Sequence, residues 1–172
     1  MKDWDLCGRR YWGFDSFQGL PAPVDADKVG GMSVGEAGIM AAGQKDVEAH
    51  FAAANVTELV TLTAGWFNET LPGATVEHIA FLRLDGDLFV STWDGLVNLY
   101  PKVVPGGLVY VDDYGAFNGC KLAVDLYRTQ HGITAPLHWI REEDNHVEAV
   151  WWRKPLNPGP RGGRGHGGGG TT

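Results

Sequence analysis

Asp85-Gly86-Asp87 closes the apolar run His78–Leu84 (HIAFLRL), and 27 residues after Asp85 the pair Asp112-Asp113 closes a second run, Gly107–Val111 (GLVYV). A span of that length holds one strand, a crossover helix and the next strand. If the two strands are neighbours, Asp85 and Asp112-Asp113 converge. Carboxylates held together raise one another's pKa, and a divalent cation relieves the repulsion. Oxygen donors alone favour Mg²⁺, Mn²⁺ or Ca²⁺ over zinc. The same Asp-Asp pair after a strand is also what caps a helix or opens a turn, and spacing leaves both readings open. Asp87, directly before Leu88, reads as that helix's N-cap.

Asp15 ends a third run, Arg10–Phe14 (RYWGF). An acid in that place hydrogen-bonds a ribose hydroxyl of a nucleotide-like cofactor, or shares a turn or cap with Ser16. Trp66-Phe67 offers rings to stack on a flat group, or to pack in a core. Of the histidines, His50 and His131 fall on helical segments, and His78 and His138 open strands. His146 lies in a turn, from which a base could reach the acids. No H-x-x-x-H or C-x-x-C spacing, nucleophile elbow or phosphate loop occurs. Cys120 opens a helix with no base beside it, which argues against a nucleophile.

The elements that must carry these residues follow from periodicity. Strands are predicted at Arg10–Phe14, Glu58–Thr63, His78–Leu84, Gly107–Val111, Pro136–Arg141 and Val147–Arg153. The last two form a hairpin across Glu142–His146. Helices are predicted at Gln44–Ala54, with Val47, Phe51 and Ala54 on one face, and at Leu88–Val103. The second has the strongest stripe: Leu88, Thr92, Leu96, Leu99 and Val103. Pro105-Gly106-Gly107 should stop it, and GLVYV reads as a strand buried on both faces. A further helix covers Lys121–His131, with Leu122, Leu126 and Tyr127 inward. Pro21 to Gly43 is a long loop, and Ala64–Gly73 a turn-rich connector. Strands alternating with helices give an α/β sheet, in which ligands sit beyond the carboxyl ends of the strands. Asp15, Asp85 and Asp112-Asp113 all lie there.

The chain has 172 residues, an apolar fraction of 44% and a net charge of −7, an ordinary globular composition. Two cysteines cannot build a disulfide scaffold, so reduced thiols in the cytoplasm are expected. No apolar run reaches membrane-helix length, and MKDWDLCGRR is no secretory signal. From Pro155 onward eight glycines, three prolines and two arginines make a tail expected to be disordered. Residues 1–154 hold 12 of the 14 basic residues and all 21 acidic ones, a net charge of −9. Such a body is a poor partner for nucleic acid.

Taken in order, several segments resemble the macrocin O-methyltransferase (TylF-type) family. They are Asp15-Ser16-Phe17-Gln18-Gly19-Leu20-Pro21, Gly65-Trp66-Phe67-Asn68-Glu69-Thr70-Leu71-Pro72, Leu82-Arg83-Leu84-Asp85-Gly86-Asp87 with Ser91-Thr92, Leu99-Tyr100-Pro101-Lys102 and Val111-Asp112-Asp113-Tyr114. Cys120-Lys121, Ala123-Val124-Asp125, Tyr127-Arg128 and Trp151-Trp152-Arg153-Lys154 extend the likeness, which covers about residues 10–154. It implies an α/β class I methyltransferase sheet, Rossmann-like and mainly parallel with an antiparallel last strand. It implies S-adenosylmethionine as cofactor, with Asp15 and Ser16 at the ribose and Gly65 and Trp66 near the adenosine. It implies Mg²⁺ on Asp85, Asp112 and Asp113, adjacent hydroxyls of a glycoside or polyol as acceptor, Asp85 as proton acceptor, and a homodimer.

The family's glycine-rich cofactor turn is not found ahead of Asp15. Residues 1–154 are therefore expected to form a methyltransferase-like domain without its first strand–helix unit. That expectation keeps a non-catalytic fragment or interaction domain as the alternative function. A nucleotide-sugar glycosyltransferase, reading Asp85-Gly86-Asp87 as a D-x-D metal motif, is the third.

Overall fold

The structure, a computed structural model, describes residues 8–29, 32–33, 35–143, 145 and 147–156. His146 and the tail from residue 157 lie outside them. The chain runs β1 (Tyr11–Asp15), a short antiparallel ribbon β2 (Lys28–Val29) and β3 (Met32–Ser33), α1 (Gln44–Ala53), β4 (Val60–Ala64) and α2 (Phe67–Thr70). It continues β5 (Ile79–Leu84), α3 (Phe89–Leu99), β6 (Val103–Val111), α4 (Asn118–Gln130), β7 (His138–Arg141) and β8 (Val147–Arg153).

The strands form two main groups. β1 and β4 pair in parallel, Asp15 opposite Ala64. The larger sheet has the order β5-β6-β8-β7. β5 and β6 are parallel, with Leu84 opposite Val111, so Asp85 and Asp112 leave adjacent strand ends. β8 runs antiparallel to both β6 and β7, which is the expected C-terminal hairpin.

The stripe Leu88, Thr92, Leu96, Leu99 and Val103 is buried throughout. Each such leucine contributes about 1.5–3 kcal/mol on leaving water. Gly95 lets α3 lie close on β5, since a Cβ there would stand 2.6 Å from Leu84 Cδ2. The same stripe is shorter as a helix than its periodicity predicts. A 3₁₀ turn at Tyr100–Lys102 follows α3, and Val103 already begins β6. Pro105-Gly106-Gly107 lies inside that strand, where the β5–β6 register shifts between Ile79 and Phe81. β6 buries one face more than the other: Val109 and Val111 are inside, while Leu108 and Tyr110 are partly covered.

α4 turns a different face inward from the one its leucines predict. Cys120, Ala123, Val124 and Tyr127 are buried at i, i+3, i+4 and i+7, and Leu122 and Leu126 are exposed. In α1 Val47 and Phe51 are half-buried and Ala54 is exposed; Phe51 meets the Tyr11 ring at 5.5 Å. Among the described residues, no helix is long and apolar enough to cross a membrane.

Candidate active site

One cleft of about 450 Å³ opens at the carboxyl ends of β1, β5 and β6. Asp15 and Ser16 stand on its β1 side with Trp66 and Phe67, and Asp85, Asp87, Asp112 and Asp113 form its other side. Leu20, Pro21 and Met40, from the two ends of the long loop, wall it as well. Gly65 does not line the cleft. Its N–H donates to the Asp15 carbonyl at 2.9 Å, and it adopts φ 139°, where a Cβ would stand 2.8 Å from the Thr70 methyl group. Its place is in the backbone beneath Asp15.

The β1 end is shaped by short turns. Asp15 Oδ1 accepts the Phe17 N–H at 2.6 Å, with Phe17 at φ 54°. The Ser16 hydroxyl accepts the Gln18 N–H and donates to the Gly19 carbonyl. These bonds hold the Asp15 carboxylate at the strand end.

The acidic side departs from the expected set. Oxygens of Asp85, Asp87 and Asp113 lie within 4.8 Å of one another. Asp112 lines the same cleft, but its carboxylate pairs with the Arg83 guanidinium, which also reaches Asp85 at 2.8 Å. Asp87 is not the N-cap of α3. Leu88 takes that position without a side-chain bond, and Asp87, at φ 55° and 6% exposed, turns its carboxylate into the cluster. Burial pushes the Asp113 acid up to about 7, helped by its hydrogen bond to Asp87 and the negative charge there. Burial also raises Asp85, against the pull of Arg83, and raises Asp87. The cluster is thus a crowded acidic group short of positive charge, with the hard oxygen donors that suit Mg²⁺ or Mn²⁺.

Sequence reasoning did not single out Arg83. The available signal was its spacing, since residues two apart on a strand share a face and Arg83 is two before Asp85. Cys120 is buried with its thiol pushed up to about 12 by that burial, and donates to the Asp112 carbonyl. That chemistry fits a structural thiol.

The parallel β5–β6 pair with an antiparallel final strand and an acid-lined cleft at the strand ends matches known methyltransferases. The solved O-methyltransferase NovP superposes with a TM-score of 0.75 at 38% identity, over 88% of this chain and 62% of that one. The calicheamicin methyltransferase CalS11 gives 0.63 at 28% identity, over 84% and 60%. The fold is therefore the α/β methyltransferase fold. The family profile of the macrocin O-methyltransferases (TylF) matches residues 2–154, and the chain belongs to that family.

Curated relatives agree. The chain is 38% identical to demethyldecarbamoylnovobiocin O-methyltransferase of Streptomyces niveus, over 90% of this chain and 58% of the relative. It is 42% identical to 8-demethyl-8-(2,3-dimethoxy-alpha-L-rhamnosyl)-tetracenomycin-C 4'-O-methyltransferase of Streptomyces olivaceus, over 84% and 55%. With mycinamicin III 3''-O-methyltransferase of Micromonospora griseorubida the figures are 33%, 90% and 61%. The chain thus spans somewhat more than half the length of these relatives.

Proposed function

We propose that this chain serves S-adenosylmethionine-dependent O-methylation of a sugar or polyol hydroxyl, with a divalent cation in the acidic half of the cleft. The observation that carries the reading is the cleft itself, with a strand-end acid and two aromatic residues facing a carboxylate cluster. Membership of a family of O-methyltransferases supports the reaction class. The rhamnosyl group in the name of the Streptomyces olivaceus relative supports a glycoside acceptor.

The residues fit both groups. The cleft volume is that of a small-molecule site. Asp15 would accept from the ribose hydroxyls, and the Trp66 and Phe67 rings are beside it for a flat base. S-adenosylmethionine supplies an electrophilic methyl group when bound, and a divalent cation would acidify and orient adjacent hydroxyls of the acceptor. Asp85 and Asp113 would belong to both carboxylate sets considered for the ion. Asp112 completes the set implied by the family likeness, and Asp87 completes the set the side chains form here. Asp85, half-exposed with its acid raised by burial, would take the proton of the reacting hydroxyl. Leu20, Pro21 and Met40 would give the cleft an apolar wall beside the acceptor. The protein's main contribution is holding two reactants in line.

The test is incubation of the purified chain with S-adenosylmethionine, Mg²⁺ and a panel of glycosides bearing adjacent hydroxyls. Methyl gain on a glycoside, abolished by EDTA, is expected. A folded chain that binds S-adenosylmethionine but methylates no glycoside would overturn the acceptor class. A folded chain that binds none would overturn the activity.

A further inference from the structure

Asp27 is 1% exposed, yet it belongs to the long loop from Pro21 to Gly43. It ends a single 3₁₀ turn, Asp25–Asp27, and both its oxygens accept backbone N–H groups. Oδ2 takes the Val24 N–H at 2.8 Å, within the loop. Oδ1 takes the N–H of Phe89 at 2.7 Å, 62 residues away, at the first residue of α3. The first turn of α4 closes over the same carboxylate: a Cβ on Gly119 would stand 1.7 Å from Oδ1. One carboxylate is therefore seated where two helices begin, and helix N-termini favour negative charge.

The loop's two ends are tied to each other. Leu20 N–H donates to Ile39 O at 3.0 Å, and Gly38 N–H donates to Leu20 O at 2.9 Å. Leu20, Pro21 and Met40 line the cleft from this base. On the other side of the Asp27 bond, Phe89 follows Asp85-Gly86-Asp87 and Leu88, whose N–H donates to Gly86 O at 2.5 Å. Among the described residues, no strand pairing joins the β1–β4 pair to the β5-β6-β8-β7 sheet. The buried Asp27 carboxylate thus ties the loop by a hydrogen bond to the helix start that follows the acidic cluster.

We propose that Asp27 is a positioning residue that latches the Pro21–Met40 loop onto the starts of α3 and α4 and so sets the carboxylate cluster against the opposite wall of the cleft. The effect on the cluster rests on the cation site proposed above; the latch itself does not. Its chemistry calls for a carboxylate. An asparagine keeps one acceptor for Phe89 but turns an amino group toward the Val24 N–H. An alanine removes both acceptors and leaves the partly covered Val24 and Phe89 N–H groups without the carboxylate.

Two readouts test it on the full chain: amide hydrogen exchange, and Mn²⁺ binding followed by electron paramagnetic resonance. In Asp27→Ala the loop amides and those of the first turn of α3 should lose protection together. Mn²⁺ affinity should fall about tenfold, because the segment from Asp85 to Phe89 is no longer held at its Phe89 end. Asp27→Asn should retain protection at Phe89 and recover part of the affinity. It also serves as the probe if Asp27→Ala does not fold. A lower melting temperature with unchanged Mn²⁺ affinity and unchanged α3 protection would overturn the proposal, because the carboxylate would then support only its own loop. Wild-type chain that binds no Mn²⁺ would sink the cation site, while the exchange data would still decide the latch.

Discussion

Asp87 and Asp113 leave the ends of different strands, yet both take left-handed backbone, at φ 55° and 58°, and turn their carboxylates into the same side of the cleft, with oxygens within 4.8 Å of each other. Two carboxylates this close, and partly buried, favour the form in which one of them holds a proton. Left-handed backbone at a residue other than glycine costs about 1 kcal/mol or more, and here it is spent on bringing acid next to acid.

Asp113 gives a pH signature. Its acid sits at about 7 in the folded chain against an ordinary 3.8, so the folded form holds the proton more tightly than the unfolded one. The stabilisation it gives is full below the unfolded value and is lost as pH rises through about 7. Cation-free protein should lose thermal stability over that window, and Asp113→Asn should flatten the loss. Thermal unfolding from acid to mildly alkaline pH checks this. Equal pH slopes for the two proteins would contradict the assignment.

Cation affinity should rise as pH passes through about 7, because a ligand must give up its proton to bind. Calorimetric titration with Mg²⁺ or Mn²⁺ on either side of that value measures the effect. The accompanying proton release should disappear in Asp113→Asn.

Asp87→Asn and Asp112→Asn separate the two ligand sets. If the cation takes the cluster as it stands, Asp87→Asn weakens Mn²⁺ binding about tenfold or more and Asp112→Asn weakens it little. If Arg83 releases Asp112 on binding, the order reverses. In that case Arg83→Met should also alter the affinity, since the competing guanidinium is gone.

Asp15→Asn keeps an oxygen for the Phe17 N–H and removes the charge. S-adenosylmethionine binding should weaken about tenfold or more, the worth of a charge-assisted hydrogen bond. Mn²⁺ affinity at the far side of the cleft should not change. Isothermal titration with each ligand reads both effects.

Gly119→Ala drives a methyl group into the Asp27 carboxylate and the Phe89 N–H. It should destabilise the fold by about 1–3 kcal/mol, the cost of overpacking, measured by denaturant unfolding. Wild-type stability in the variant would mean that the two helix starts are looser than this packing requires.

Much of this was legible in the sequence because apolar runs end in acids. The runs before Asp15, Asp85 and Asp112 identified the strands, and the stripe from Leu88 to Val103 marked the helix between two of them. Boundaries failed where tertiary contact outweighs local preference. Val103 fits the helical stripe but pairs with Ile79 as a strand, and Pro105-Gly106-Gly107 is taken up in a strand irregularity. In α4 small residues, Cys120 and Ala123, pack inward while larger Leu122 and Leu126 face out, which a stripe of large residues cannot foresee. At the site, the convergence of Asp85 and Asp113 was readable from spacing. Asp87 was not, because an aspartate before a helix is ordinarily its cap, and only the left-handed backbone turns it inward. Asp27 gave no local signal, since its partner lies 62 residues away.

The split sheet has a thermodynamic consequence. The β1–β4 pair and the β5-β6-β8-β7 sheet exchange no ladder hydrogen bonds among the described residues, so their unfolding need not be a single event. A molecule that touches Asp15 at one end and the acids at the other would act as a cross-brace between them. Ligand binding would then stabilise both groups together, raising the melting temperature by linkage while holding the two strand groups at a fixed spacing.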